Sequence, residues 1–141
     1  MTAPRLSDLA VGDSLPAQTF PVTRADLVRY AGASGDFNVI HWNERVARSV
    51  GLPTVIAHGM YTMAQAGKFV TEWVGDPGAV TDFGVRFSAM VPVPDDDEGA
   101  TLEVSGKVLE KLADGKVTVD IVVKAGGAKV LTRARATVRL P

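Results

Sequence analysis

The side chains best suited to proton transfer lie in one irregular stretch of this sequence. The chain has two histidines, His41 and His58, and Asp36 precedes His41 by five residues. Histidine both accepts and donates protons near pH 7, and a carboxylate beside an imidazole in an apolar pocket suits general acid–base catalysis. A regular helix would place residues at this spacing on different faces. Gly35 and Asn38 interrupt the helix, however, so a bent loop could direct both side chains inward.

The same residues also fit purely structural roles. His41 could be a hydrogen-bonded core histidine and Asp36 a turn or helix-capping residue, and their spacing does not choose between the two interpretations. His58, at the start of a predicted helix, fits a capping or packing role more readily than that of a proton donor or pocket wall. A metal site made of these three residues would lack the usual His-x-x-x-His spacing, so we expect no metal.

Gly59 begins the most apolar helix that the sequence predicts. The first turn of a helix presents free N–H groups and the positive end of the helix dipole. A glycine at this position lets a ligand carbonyl come close, which could make an oxyanion hole. The alternative is an ordinary helix-start glycine.

Composition sets the limits of function. The 141 residues are 46% hydrophobic and 22% charged, which predicts one globular domain over residues 1–141. A net charge of −1 does not favour nucleic acid as a partner. The absence of cysteine excludes disulfides and thiolate catalysis. Because no leader pattern and no long apolar run is visible, we expect a cytoplasmic protein without a membrane span.

The first half of the chain carries mainly helical signals. A first strand is predicted over 13–21, followed by a helix with Thr23 as N-cap and Asp26 as its capping-box partner. A second helix is predicted over 44–50 and a third over 59–74. The third is apolar nearly all round, which predicts that it is buried.

The second half alternates apolar and polar residues, as is typical of half-buried antiparallel strands. The alternating stretches cover residues 82–91, 102–108, 117–124 and 133–140. Asp114-Gly115 and Gly126-Gly127 predict two-residue hairpin turns. A sheet with one apolar face must cover something, and helix 59–74 is the obvious partner. The sequence therefore predicts an α+β fold with a helix on a sheet.

Several motifs add a family resemblance. The segment YAGASGDFNVIH, residues 30–41, resembles the hydratase signature of the MaoC-like family, which is an aromatic residue, a small stretch and Gly-Asp-x-Asn-Pro-hydrophobic-His. Ala47 supplies the small residue expected six places later, whereas Val39 replaces the usual proline. The segment HGM, residues 58–60, resembles the start of the family's central helix, and VRF, residues 85–87, the strand that follows.

The resemblance covers nearly the whole chain and keeps the order of elements. Residues 41–60 and 70–87 are most similar to the catalytic beta subunits of (3R)-hydroxyacyl-ACP dehydratases of mycolic-type elongation. The fold implied is a single hotdog domain, in which a curved antiparallel sheet wraps around a long central helix. The implied partner is the same chain or a homologous subunit, giving a homodimer or a heterodimer.

The activity implied is reversible syn addition of water to a trans-2-enoyl thioester of CoA or acyl-carrier protein, giving a (3R)-hydroxyacyl thioester in fatty-acid metabolism. Asp36 and His41 would be the catalytic pair, and the Gly59 N–H would bind the thioester carbonyl. Asn38 would orient Asp36 or its loop. The resemblance implies no metal and no organic cofactor.

Apolar side chains on or near helix 59–74 are candidates for an acyl pocket. They are Tyr61, Met63, Phe69 and Trp73. All four are equally suited to plain core packing. Two rival functions share the fold: a non-catalytic acyl-binding subunit of a dehydratase heterodimer, and a hotdog thioesterase. The presence of both Asp36 and His41 favours the hydratase over both rivals.

Overall fold

The computed structural model describes residues 3–141. Its helices are α1 (Arg24–Ser34), α2 (Glu44–Ser49) and α3 (Gly59–Val74), and its strands are β1 (Ser14–Val22), β2 (Val80–Phe87), β3 (Ala100–Leu112), β4 (Lys116–Ala125) and β5 (Ala128–Arg139). Short 3₁₀ turns occupy Leu6–Asp8, Val39–His41 and Pro77–Ala79. The predicted division into a helical first half and a strand-rich second half is confirmed.

The five strands form one curved antiparallel sheet that packs against α3. Their order is β1-β3-β4-β5-β2, and all neighbouring strands are antiparallel. The α+β arrangement predicted from periodicity, and the hotdog fold implied by the resemblance, are both confirmed.

The core lies between α3 and the inner face of the sheet. Phe69 on α3 is fully buried, and burial of such a side chain contributes about 1.5–3 kcal/mol to stability. It packs directly against β3, where a Cβ atom added to Gly106 would lie 3.0 Å from its ring. The glycine therefore lets the ring approach the sheet backbone. This packing fixes the position of α3, and with it the helix N-terminus.

Both ends of α1 are defined by local hydrogen bonds and backbone geometry. The predicted capping box is present, with Thr23 N donating to Asp26 Oδ2 and Asp26 N donating to Thr23 Oγ1. At the other end Gly35 has a φ of 76°, a left-handed conformation that favours glycine. The chain thus leaves α1 immediately before Asp36.

Strand β2 is shorter than the alternation predicts. The pattern continues to Val91, but the strand ends at Phe87 and residues 87–90 are exposed. Beyond them the chain pairs with a different segment, because Ala57 N donates to Val91 O and Val93 N donates to Val55 O. The prediction of one strand over 82–91 is therefore wrong at its C-terminal end, where tertiary pairing overrides the local pattern.

The two predicted hairpins form, with one difference in loop length. Ala125 pairs with Ala128 across the two-residue Gly126-Gly127 turn, as predicted. The other hairpin closes with Leu112 opposite Lys116, so its loop has three residues, 113–115. Among residues 3–141, no helix has both the length and the apolar character needed to cross a membrane.

Candidate active site

A bent loop between α1 and α2 carries the predicted acid–base pair. Asp36 N donates to Ser34 Oγ, and Asn38 N donates to Asp36 Oδ1 at 3.2 Å. Asn38 Oδ1 then accepts from Ile40 N and starts the 3₁₀ turn that contains His41. Such short side-chain bonds bend the backbone where a helix would continue. The loop thereby brings Asp36 Oδ2 to 4.0 Å from His41 Nε2.

The hydrogen bond on the far side of His41 fixes its tautomer. His41 is buried, and its Nδ1 lies 2.6 Å from the carbonyl oxygen of Ile56. Because a carbonyl only accepts hydrogen bonds, Nδ1 carries the proton of the neutral ring and Nε2 is an acceptor. Nε2 is the atom that faces Asp36, whose side chain is about half exposed.

The separation of the two side chains suits a shared third atom. At 4.0 Å, Asp36 Oδ2 and His41 Nε2 are too far apart for a direct hydrogen bond. An oxygen atom about 2.8 Å from both would make an angle of about 90° between them, within reach of one water or hydroxyl group. The pair can therefore hold one oxygen between two basic atoms.

His58 lies behind His41, away from solvent. It is 1% exposed, and its ring stacks on that of His41 with centroids 3.7 Å apart and an interplanar angle of 21°. Its Nε2 donates to the main-chain oxygen of Asp36 at 3.1 Å. Burial lowers the pKa of His58, which keeps the ring neutral. Among residues 3–141 its Nδ1 has no hydrogen-bond partner, which costs about 1–3 kcal/mol.

The same three residues do not fit a metal ion. One atom from each of Asp36, His41 and His58 lies within 4.8 Å of the others. Imidazole lone pairs lie in the plane of the ring, and these two rings are stacked rather than convergent. One nitrogen of each ring also donates to a carbonyl oxygen. No single point therefore receives both lone pairs, as a tetrahedral ion would require.

A cavity of about 350 Å³ adjoins His41 and the N-terminus of α3. Its lining consists of His41, Ile56, Ala57, Gly59, Thr62, residues 87–91, Val130 and Leu131. His58 makes no side-chain cap on α3, so the first-turn N–H groups of the helix are not capped from that side. A Cβ added to Gly59 would lie 3.1 Å from the Phe87 ring, so Gly59 and Phe87 form one narrow wall of the cavity.

The structure places the predicted pocket residues elsewhere. Phe69 is fully buried in the core, and Tyr61 and Trp73 are partly buried against it. These three residues and Met63 are absent from the cavity lining, as are Asp36 and Asn38. The apolar lining comes largely from residues 87–91, the last residue of β2 and the four residues that follow it. The alternation of apolar and polar residues does not indicate where β2 ends.

The fold and the site together define a class: a hotdog domain with a carboxylate–imidazole pair beside the N-terminus of its central helix. The profile of the MaoC like domain matches residues 8–125. The chain therefore belongs to the MaoC-like domain family, as its motifs predicted.

Individual relatives span different shares of this chain. The (R)-specific enoyl-CoA hydratase of Rhodospirillum rubrum is 32% identical over 121 residues, covering 85% of this chain and 81% of that protein. The 3-hydroxyacyl-thioester dehydratase X of Mycobacterium tuberculosis is 42% identical over 79 residues, covering 56% of this chain and 27% of that protein. A solved MaoC-like dehydratase superposes with a TM-score of 0.94 at 44% identity, covering 99% of this chain and 43% of that chain.

The chain thus spans about a quarter of the dehydratase X and less than half of the solved dehydratase.

Proposed function

We propose that this chain is a hydro-lyase that reversibly adds water to trans-2-enoyl thioesters, giving (3R)-hydroxyacyl thioesters. The observation that carries the proposal is the 4.0 Å separation of Asp36 Oδ2 and His41 Nε2, with His41 and Gly59 of α3 lining one cavity. The names of the relatives, an (R)-specific enoyl-CoA hydratase and a 3-hydroxyacyl-thioester dehydratase, agree with it.

In this reaction the pair holds the water. Asp36 Oδ2 and His41 Nε2 face each other as hydrogen-bond acceptors, so one water can donate a hydrogen bond to each. Its oxygen then forms a bond to C3 of the enoyl group while one of its protons passes to the pair. A proton from the pair is delivered to C2 on the same face, so the pair is unchanged after each turnover. Elimination of water follows the same path in reverse.

The N-terminus of α3 supplies the second element. As electrons move from the C2–C3 double bond, negative charge develops on the thioester oxygen. The Gly59 N–H and the positive end of the α3 dipole would stabilise that charge. A fixed donor contributes most here, because the charge on the oxygen is larger in the transition state than in the substrate.

The remaining lining suits an acyl chain. Residues 87–91 and the pair Val130 and Leu131 are mostly apolar and make up about half of the cavity lining. The CoA or acyl-carrier-protein portion of the substrate would extend out of the cavity into solvent. Neither a metal nor an organic cofactor takes part in the proposed steps.

Apolar side chains around the site favour a dimer. Phe37, Trp42, Met60, Phe87 and Met90 are each at least half exposed. They lie in the loop between α1 and α2, at the start of α3, and at the end of β2 with the residues that follow it, all of which adjoin the site. Burial of such side chains against a second copy, or against a homologous subunit, would remove this surface from water.

Incubation with crotonyl-CoA tests the activity directly. Loss of the enoyl absorbance without release of free thiol is the expected result, and mass spectrometry should find a product heavier by one water. Release of thiol would instead indicate a thioesterase. Binding without any turnover, with or without a homologous partner, would indicate an acyl-binding subunit. Asp36→Asn is the matched control, because it preserves the shape of the side chain and removes its charge.

A further inference from the structure

We infer that His58 is a positioning residue of the proposed hydratase site. It holds the Asp36 loop and the His41 ring in place relative to the N-terminus of α3. The inference rests on the proposed function for its catalytic consequence. Its structural part, the hydrogen bond that connects the Asp36 loop to the start of α3, can be tested separately.

The first support is the reach of the hydrogen bond from His58. Its Nε2 donates to the main-chain oxygen of Asp36 across 22 positions of sequence. Among residues 3–141, the other hydrogen bonds of Asp36 connect it only to Ser34 and Asn38, two residues away on either side. The His58 bond is therefore the polar contact that joins this part of the loop to the central helix.

The second support is the stack of the two imidazole rings. The 3.7 Å contact with His58 covers one face of the His41 ring, while the bond from Nδ1 to Ile56 O holds its edge. With a face and an edge both fixed, the ring is held against rotation about its side-chain bonds. The direction of Nε2 toward Asp36 is then determined before substrate binds.

The third support is that His58 is placed for positioning and not for proton transfer. It is 1% exposed and does not line the cavity. Its protonated nitrogen is engaged by Asp36 O, and Tyr30 packs edge-on against its ring at 4.7 Å. Substrate atoms in the cavity would therefore contact His41 and Gly59, with His58 behind them.

Two substitutions separate the hydrogen bond from the ring. His58→Gln places an amide N–H near the position of Nε2 and removes the ring, whereas His58→Phe keeps a flat ring and removes the donor. In His58→Phe we expect kcat to fall by roughly 10- to 100-fold, since a displacement of about 1 Å can cost about 10²-fold. We expect KM to change by less than about threefold, because ground-state binding is largely retained, and His58→Gln to recover much of kcat.

A spectroscopic measurement reports on the loop without any need for activity. Trp42 Nε1 donates to Phe37 O, next to Asp36, and the chain has two tryptophans. In a Trp73→Phe background, fluorescence therefore comes from Trp42. His58→Phe should increase quenching of Trp42 by acrylamide, and His58→Gln should leave it close to that of the parent. If the parent protein has no hydratase activity, the proposed function is wrong, but this measurement still tests whether His58 holds the Asp36 loop.

Val117→Ala is the control for general loss of stability, because Val117 is fully buried in β4 and does not line the cavity. It should lower Tm without changing Trp42 quenching. A folded His58→Phe with parental kcat and quenching would overturn the inference, as would a His58→Gln variant in which Trp42 is quenched as strongly as in His58→Phe. If His58→Phe does not fold, His58→Asn, whose amide is too short to reach Asp36 O, takes its place with the same expected results.

Discussion

Replacement of Gly59 by alanine tests the oxyanion site at the start of α3. The new Cβ would lie 3.1 Å from both Cδ1 and Cε1 of Phe87, in the gap between the helix start and the ring. We propose that the thioester carbonyl binds the Gly59 N–H, so the added methyl group would crowd the space beside that carbonyl. We therefore expect kcat/KM to fall by about 10²–10³, the range for loss of one oxyanion donor, or about 2.7–4 kcal/mol of transition-state stabilisation.

The substitution should change stability much less than activity. Gly59 does not have a positive φ, so alanine is tolerated by the backbone and gains up to about 1 kcal/mol of helix propensity. Within the single chain Phe87 is 54% exposed, so its ring has room to rotate away from the close contact. The net change in Tm should therefore stay within about 4 °C. Hydration of crotonyl-CoA and thermal melts measured by circular dichroism give the two quantities.

Gly67→Ala is the matched control in the same helix. Its Cβ would meet the Phe83 ring at 3.3 Å, so it crowds an aromatic side chain of β2 in a comparable way. Gly67 does not line the cavity, so activity on crotonyl-CoA should be retained. Adding Phe87→Leu to Gly59→Ala relieves the crowding and should not restore activity. A folded Gly59→Ala variant with parental kcat/KM would refute the assignment of the carbonyl to the Gly59 N–H.

Four further outcomes are expected. Asp36→Asn and His41→Ala should each lower kcat by about 10²–10⁴ with an unchanged circular dichroism spectrum, and near-native turnover of either would contradict its role. Hydrogen bonds from Thr54 and Arg24 lower the pKa of Glu44 below its usual 4.5, so the stability they give is present above pH 4.5 and lost as pH falls through the lower value in the folded state. Tm should therefore fall more steeply with acidification in the parent than in Glu44→Gln, and parallel curves would exclude this contribution. Medium or long enoyl chains should have a higher kcat/KM than crotonyl-CoA, by up to about 0.8 kcal/mol for each buried CH₂. If kcat/KM instead falls sharply with chain length, both with and without a partner subunit, the protein is a short-chain enzyme. Light scattering should find a dimer, and an active, stable monomer would count against it.

Local signals predicted the elements that position the site. Helix α3 has the predicted bounds, because an apolar stretch begins at Gly59 and ends at Gly75, where φ is 74°. The capping box at Thr23 and the left-handed Gly35 define where α1 begins and ends. The interruption of the helix at Gly35 and Asn38 also predicted that Asp36 and His41 could converge. Each of these predictions depends on residues close together in sequence.

Tertiary contacts determined what the sequence could not predict. The cavity is lined by residues 87–91. After β2 the chain still donates from Ser88 N and Ala89 N to Val130 O of β5, and from Val91 onward it pairs with residues 55–57 instead. The alternation of apolar and polar residues is the same on both sides of that change. The predicted pocket residue Phe69 faces the core because α3 presents that side to β3. The assignment to mycolic-type dehydratase subunits stays a prediction.

The two histidines show most clearly how the fold gives one residue type two roles. Each ring is buried, and each donates one hydrogen bond to a main-chain oxygen, but through different nitrogens. His41 donates from Nδ1, which leaves Nε2 as a base directed at Asp36. His58 donates from Nε2, which leaves a buried Nδ1 with no partner among residues 3–141. The acceptor oxygens belong to Ile56 and Asp36, which are far in sequence from the histidines that they bind. The tautomer of each ring is therefore assigned from the position of that main-chain oxygen. The residue with its basic atom at the cavity is suited to proton transfer, and the residue behind it to holding the first in place.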